Sequence, residues 1–433
     1  MMSKTDKQMR KTHSARYAVM SFLLLLLPLT AGTFLAFYSN YRITYHADIQ
    51  LIQTNEANNL KLQASLIEEE LSSLRDDIEY LSNIRVLLNI DRPDLEERDI
   101  LRLRNIFLSF IRRKPQYLQV RWLTPEGKEL IKTNSTKTGP ALVEAVNLQD
   151  KSHRYYFSGL HHLQPDELFI SPLDLNVELN KIEASLVPTI RIGKKILNAQ
   201  GELEGFILLN YAGKNIFNII EKTSIPAAGS IMLINADGYW LYGAPAEDRW
   251  GFMLPGRKLN TLSHRNPVLW QQIAKNDNGI TEGDGHYYAF KRIAPFIGIK
   301  GIYSTAEVER TQYSSLDDYH WYLLSEIPAE LIAERFAGTR SRYILISLII
   351  FPLLVFAASI YAYSRMRNRK SEERFRIEAE FFIKNPAPVF KASRRGELLQ
   401  FNPASAELFN DVFQGLPVER IFHGGFDKNK LED

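Results

Sequence analysis

YAVMSFLLLLLPLTAGTFLAFY, from Tyr17 to Tyr38, carries no charged residue along its whole length. A run of that length and character crosses the hydrocarbon core of a bilayer as a helix. A second run, YILISLIIFPLLVFAASIYAY from Tyr343 to Tyr363, does the same. Both are bracketed by tyrosines, whose amphipathic rings suit the headgroup level. Pro28 and Pro352 fall inside the runs, and membrane helices tolerate proline better than soluble ones. The first run is longer than the apolar core of a signal peptide and a helical pattern continues from its end, so it is read as a retained span.

The flanks set the expected orientation. Lys4, Lys7, Arg10, Lys11 and Arg16 precede the first span, opposed by Asp6, and Arg365, Arg367, Arg369 and Lys370 follow the second. Positive flanks stay cytoplasmic. Residues 1–16 and 364–384 are therefore expected on the cytoplasmic side of the inner membrane and residues 39–342 in the periplasm. The chain has 433 residues and a net charge of +3, with 45% hydrophobic and 24% charged residues. That balance excludes a nucleic-acid binder working through bulk charge and an acidic disordered chain. With no cysteine, disulfides, thiolate metal sites and cysteine nucleophiles are excluded together.

Beyond the first span, Leu60, Ala64, Ile67, Leu71, Leu74, Ile78 and Leu81, then Arg85 and Leu88, are spaced alternately by four and three. This puts one stripe along a helix. Two readings fit: a parallel homodimer seam over Ala57–Leu88, or a stripe buried against the chain's own sheet, which Arg85 favours. After Pro93 the pattern becomes short strands with turns. Tyr117–Thr124, Lys128–Lys132, Leu186–Ile192, Lys194–Asn198 and Gly205–Tyr211 read as strands of a distal module at about 93–222, with Gly213–Ile220 helical. Ser230–Asn235, Tyr239–Tyr242, Tyr287–Ile293 and Trp321–Glu326 read as strands of a proximal module at about 229–326. Each cycle runs strand, acidic-Gly turn, strand, excursion, further strands, a weak internal repeat. Ile327–Arg342 reads as a helix leading into the second span.

The segment from His153 to Tyr211 contains HRYYFSGLHHL, then SPLDLN, a Pro-Thr-Ile-Arg strand and an LLNY strand. Together with the two spans and two α/β modules, it resembles the double Cache sensor ectodomain of bacterial transmembrane receptors, in the branch attached to sensor kinases. The fold class expected is α+β: a long N-terminal helix and two PAS-like modules between two transmembrane helices. Past the second span, NPAPVFKASRRGELLQFNPASAELFN from Asn385 to Asn410 resembles the opening of a PAS domain, incomplete over 385–433. No cyclase, kinase or methylated-hairpin signature follows, so the output module is expected outside this sequence, on a partner or lost by truncation.

The resemblance implies candidate site residues. In amino-acid-binding double Cache domains an Arg-x-Trp-Tyr element holds the ligand carboxylate, and an Asp on a later strand holds the ammonium. Here Arg154 matches the arginine, Tyr156 stands where Trp is usual and Phe157 replaces the Tyr. Asn210 stands at the Asp position, so the counter-charge for an ammonium is lost. A planar guanidinium grips a carboxylate through paired hydrogen bonds, which points to a small anionic ligand. Arg121 and Arg191 on neighbouring strands add positive potential, and Asp174 in SPLDLN can pair an arginine when no ligand is bound. The alternative is that Arg154, Asp174 and Arg191 form a structural ion-pair network. His161-His162 near Asp166 and Glu167 lack a spacing that closes a metal site and read as a solvated loop. Trp122, Trp240 and Trp250 read as core or pocket walls, and no Gly-x-Ser-x-Gly elbow supports a hydrolase.

No catalytic residue, metal or cofactor is expected. The function expected is the sensory part of an inner-membrane receptor that signals to a cytoplasmic output module or partner kinase, a histidine kinase before a diguanylate cyclase. The alternatives are a chemoreceptor, or a membrane-anchored adaptor that reads a periplasmic protein and has a pocket filled by apolar side chains.

Overall fold

The computed structural model describes residues 4–84, 88, 96–178, 181–198, 200–223, 229–304, 313–393 and 398–409. Arg85 and the 410–433 end of the expected PAS segment lie outside these residues. Two compact units result, one of residues 44–338 and one of residues 1–43 with 339–433.

The larger unit begins within helix α1 (Lys4–Ser82) and continues through α2 (Glu97–Arg113), β1 (Tyr117–Leu123), β2 (Glu129–Thr136), β3 (Gly139–Leu142), α3 (Tyr155–His162), β4 (Leu168–Ile170), β5 (Asp174–Leu175), β6 (Val177–Glu178) and β7 (Lys181–Ile182). Then come β8 (Pro188–Leu197), β9 (Leu203–Ala212), α4 (Lys214–Thr223), β10 (Ser230–Asn235), β11 (Trp240–Tyr242), α5 (Leu262–Arg265) and α6 (Pro267–Ala274). It closes with β12 (Asn278–Gly283), β13 (His286–Ile293), β14 (Gly301–Ser304), β15 (Tyr313–Ser315) and β16 (Trp321–Pro328) before entering α7 (Ala329–Lys384).

Two sheets share one circuit. The distal sheet contains β2–β1–β9–β8–β4 in spatial order, and the proximal sheet is β11–β10–β16–β13–β12. In each, the first strand (β1 or β10) lies between the second (β2 or β11) and the strand that closes its own circuit (β9 or β16), which is the structural form of the internal repeat. The strands expected at 186–192 and 194–198 are one continuous strand, β8, paired with β9 from Thr189 to Leu197. The hairpin β14–β15 falls in the sequence range of the proximal module but joins the distal sheet, with β14 parallel to β4. Gly301 permits this, because a Cβ there would come within 2.2 Å of the Leu168 carbonyl oxygen.

The α1 stripe is buried within its own chain. Leu60, Ala64, Ile67, Leu71, Leu74, Ile78 and Leu81 are each at most 1% exposed and join the core formed by both sheets. Burying each leucine or isoleucine contributes roughly 1.5–3 kcal/mol. The stripe is thus not an open seam for a homodimer over Ala57–Leu88; the sheets occupy it. Acidic residues beside the stripe fix the arrangement. Tyr117 donates to Asp77 at 2.7 Å, Tyr211 to Glu70 at 2.9 Å and Ser325 to Glu56 at 2.7 Å, and Lys194 pairs with Glu79. Burial, with Asp77 beside it, holds the Tyr117 hydroxyl far above its ordinary pKa.

In the smaller unit, two helices are long and apolar enough to cross a membrane, within 15–82 and 329–384. Tyr343 donates to Asn40 and meets the rings of Phe37 and Tyr41, while the Arg369 guanidinium lies 4.2 Å from the Tyr17 ring centroid. Beyond α7, β17 (Phe390–Ala392) and β18 (Leu398–Phe401) form a hairpin followed by α8 (Pro403–Phe409). Asn402 ties this start together: its amide donates to the carbonyls of Asn385 and Ala387 at 3.0 and 2.9 Å, and its oxygen accepts from the backbone N–H of Val389 and Ser405.

Candidate functional site: a charged face on the distal sheet

One face of the distal sheet lies on α1; the other carries charge. Strand register fixes which residues share it. Asn134, Gln119, Asn210 and Arg191 lie side by side across β2, β1, β9 and β8, and the adjacent row is Lys132, Arg121, Leu208 and Gly193. Because side chains alternate across a strand, all of these point away from α1. Helix α3 covers the apolar end of this face. Leu160 sits directly over Gly193, where a Cβ would come within 2.3 Å of the Leu160 side chain, so glycine lets α3 approach.

That approach brings the start of α3 over Arg191. The Arg191 guanidinium pairs with Asp174 at 2.6 Å, donates to the Tyr155 hydroxyl at 3.3 Å, and reaches the Asn176 side-chain oxygen at 3.3 Å. Tyr155 in turn donates to the other Asp174 oxygen at 2.7 Å. Burial and the Asp174 charge keep the Tyr155 hydroxyl protonated well above its usual range. Tyr156, 2% exposed, has two guanidinium groups near its ring, Arg154 and Arg191, each 5.7 Å from the centroid. Arg154 is half-buried at the N-cap of α3 and, among the described residues, pairs with no carboxylate.

A second cluster lies along the same face. Arg121, 2% exposed, pairs with Glu129 at 3.2 Å and Glu178 at 3.1 Å and donates to the Gln119 side-chain oxygen. The Glu129 contact is one of charge without an aligned hydrogen bond. Lys132 lies 3.5 Å from Glu178 and 3.7 Å from Glu129, and Lys151 lies 3.7 Å from Glu178. Gln119 donates to Glu178 at 2.9 Å and accepts from Asn210 at 3.0 Å, which joins this cluster to the Arg191 row. Burial lowers the Lys151 ammonium to about 8, and the nearby Arg121 charge adds to that effect. Burial likewise lowers Lys132, again with Arg121 beside it. Burial opposes ionisation of Glu178, but Arg121, the Gln119 amide, Lys132 and Lys151 outweigh it and hold the carboxyl at about 2.

The sequence-derived candidates therefore divide. Asp174 and Arg191 form an ion pair, which both readings expected, while among the described residues Arg154 stays outside it and lies over the Tyr156 ring. Arg121 belongs to the second cluster, and Asn210 links the two. Phe157 turns into the apolar layer against Phe206 instead of joining the charged face. His161 and His162 close α3 rather than sitting on a strand or in a loop, and are exposed; His161 lies 3.1 Å from the Pro125 carbonyl. Tyr155, Gln119, Lys132, Lys151, Glu129 and Glu178 were not singled out from sequence. Two signals were present: polar residues alternating in the strand YLQVRWLT, and Asp174, Asn176 and Glu178 spaced by two.

Trp122, Trp240 and Trp250 are buried. Apart from the charged face, a cleft of about 480 Å³ separates the modules, lined among others by Leu118, Val187, Phe217, Arg249 and Trp250.

Comparison with known proteins agrees with this fold. A domain of a sensory box/GGDEF family protein from Vibrio parahaemolyticus superposes with a TM-score of 0.55 at 16% identity, covering 66% of this chain and 99% of that one. The extracellular domain of a protein assigned as a histidine kinase superposes at 0.53 and 18% identity, covering 67% and 96%. The ligand-binding domain of the Campylobacter jejuni chemoreceptor Tlp3, in complex with L-valine, aligns at 0.42 and 15% identity, covering 67% and 98%. No curated protein matches the chain in sequence. The family described as the sensor domain of bacterial histidine kinases matches residues 57–299, more than half of the chain. With its Cache-type α+β architecture between two apolar helices, the chain belongs to the bacterial histidine kinase sensor-domain family.

Proposed function

We propose that the distal module binds a small anionic ligand, a carboxylate, on its charged face. In this reading residues 39–342 lie in the periplasm, both termini lie in the cytoplasm, and binding is relayed through the second span to a kinase-type output. One observation carries the ligand class. Arg121, Lys132, Lys151, Arg154 and Arg191 share this face with three carboxylates, Glu129, Asp174 and Glu178, and Arg154 pairs with none of them among the described residues. A buried surplus of positive charge is costly unless an anion offsets it. Arg154 and Tyr156 would meet the carboxylate, with Arg191 and Asn210 beside them and Arg121 adding positive potential. Asp174 holds Arg191 in the unliganded chain. The basic flanks of both spans support the orientation. A ligand shifts the receptor only by binding its two states unequally. An adaptor lacking a small ligand fits less well, because charge and not apolar packing occupies this face.

The test is a thermal melt of the full chain in detergent micelles. All five tryptophans lie between Trp122 and Trp321, so their fluorescence reports residues 44–338. Small carboxylates, but not amines or sugars, should raise the melting temperature. At a hundredfold excess over Kd the gain is about 2.7 kcal/mol, or roughly 5–10 °C. Arg154→Ala should abolish that shift and leave the ligand-free melt unchanged. A shift with amines, or none with any carboxylate, contradicts the reading.

A further inference from the structure

We infer that Arg121, Lys132, Lys151 and the Gln119 side-chain amide form a carboxylate-binding subsite, which the chain's own Glu178 fills when no ligand is bound. The inference rests on the anionic-ligand reading above and names a separate set of residues. Four donor groups from three separate segments converge on the single Glu178 carboxylate, at 2.9 to 3.7 Å. Gln119, Arg121 and Lys132 stand on the sheet, whereas Glu178 belongs to β6, which among the described residues pairs with β7 and with no strand of either large sheet. The carboxylate is thus delivered by a strap. Its alternate residues Asp174, Asn176 and Glu178 all reach down to the charged face, the first two to Arg191 and the third to Arg121. Side chains at every second position of an extended segment point the same way. Asp174 is held to β8 by its pairing with Thr189 and Asn176 by its N–H to the Val187 carbonyl at 2.8 Å, so lifting the β6 end withdraws Glu178 and leaves the Arg191 partners in place.

Glu129 differs because it is built into β2 and its second oxygen accepts the Gln149 backbone N–H at 3.0 Å. Withdrawing Glu178 would leave three cations facing Glu129 alone, a vacancy for one negative charge. The Glu178 side chain is 22% exposed, so the position is reachable from solvent. The Lys151 ammonium, lowered first by burial and then by the Arg121 charge, fits a buried site that holds like charges together.

The network also specifies the rest of the ligand. Arg121 only donates and Glu178 only accepts, which fixes the Gln119 amide orientation. Asn210 must then donate to the Gln119 oxygen, and the Asn210 side-chain oxygen is left buried with no partner among the described residues. A ligand whose carboxylate replaces Glu178 and which carries a neighbouring hydroxyl or amide N–H would satisfy that oxygen. The class assigned is therefore a small carboxylic acid with an adjacent neutral hydrogen-bond donor.

Propionate, the detached equivalent of a glutamate side chain, is the direct probe. In the full chain in micelles, Glu178→Ala should lower the melting temperature, and sodium propionate at constant ionic strength should restore it saturably by several degrees. Propionamide and propylamine should not, and the wild-type chain should respond at least tenfold more weakly to propionate. Adding Lys132→Met to Glu178→Ala should weaken propionate at least tenfold. Equal responses of wild type and variant, no response, or equal rescue by propionamide would overturn the subsite. Should Glu178→Ala not fold, its recovery in propionate reads the same site; no recovery while Glu178→Gln folds also overturns it. The wild-type carboxylate series tests the anionic-ligand reading, so either can fail alone.

Discussion

The distal and proximal sheets run the same strand circuit and both rest on α1, yet their outer faces have opposite contents. On the proximal sheet that face is Met232, Ile234, Trp240, Tyr288, Phe290, Tyr322 and Leu324, closed over by Leu262, Leu269 and Ile273 from α5 and α6. On the distal sheet, apolar cover stops at Leu160, and Gln119, Arg121, Lys132, Arg191 and Asn210 occupy the remainder, with Asn210 fully buried and Arg121 and Arg191 at most 2% exposed. A face filled with interlocking apolar side chains stabilises and leaves no room for a ligand. Buried charges bring a desolvation cost, and clusters of perturbed titratable groups gather at functional sites. The contrast supports the proposal that recognition lies in the distal module, with the proximal module as its support.

Paired truncations sharpen this difference most strongly. Phe290→Ala on the proximal face should cost about 3–5 kcal/mol by leaving a cavity, and Asp174→Ala on the distal face a similar amount by leaving Arg191 buried without its carboxylate. Their ligand responses should diverge. Phe290→Ala should keep the carboxylate shift relative to its own lowered melt, whereas Asp174→Ala should change ligand affinity. Melts of both variants with and without carboxylate measure this, and equal ligand responses would break the comparison.

A smaller effect concerns pH. Glu178 sits near 2 in the folded chain against an ordinary 4.5. The unfolded chain therefore takes up the proton first as pH falls, and the stabilisation present above about 4.5 is lost between 4.5 and 2. Lys151, near 8 against an ordinary 10.5, acts at the other end. The unfolded chain holds that proton longer, so stability rises as pH climbs from 8 to 10.5. Melting curves across both windows should show the acid slope reduced in Glu178→Gln and the alkaline slope reduced in Lys151→Met. Unchanged slopes would remove these groups from the charged face.

Much of this architecture was legible in the sequence because it rests on local signals. Two uncharged runs marked the apolar helices, short strand patterns bounded by turns marked β1, β9, β10 and β16, and the PAS-like segment from Asn385 marked the hairpin that leads into α8. The α1 stripe was visible, but its partner was not, since a four-three spacing suits a sister helix and a sheet equally. Two features depend on contacts distant in sequence. The return of β14–β15 to the distal sheet requires β4 as a template, and no residue within 301–315 announces it. The second cluster joins Gln119 to Glu178 and Lys132 to Lys151, pairings that exist only once strand register and the strap are set. The α3 helix was read through its ligand motif alone, which hid that Phe157 faces the core while Tyr155 faces Asp174.

The most direct measurement is amide hydrogen exchange of the full chain in micelles, with and without the carboxylate that gives the largest thermal shift. Binding on the distal charged face predicts altered protection in Tyr155–His162 and across residues 171–178, with α5 and α6 unchanged. Altered protection confined to residues 262–274, or to the intermodule cleft around Arg249 and Trp250, would contradict it.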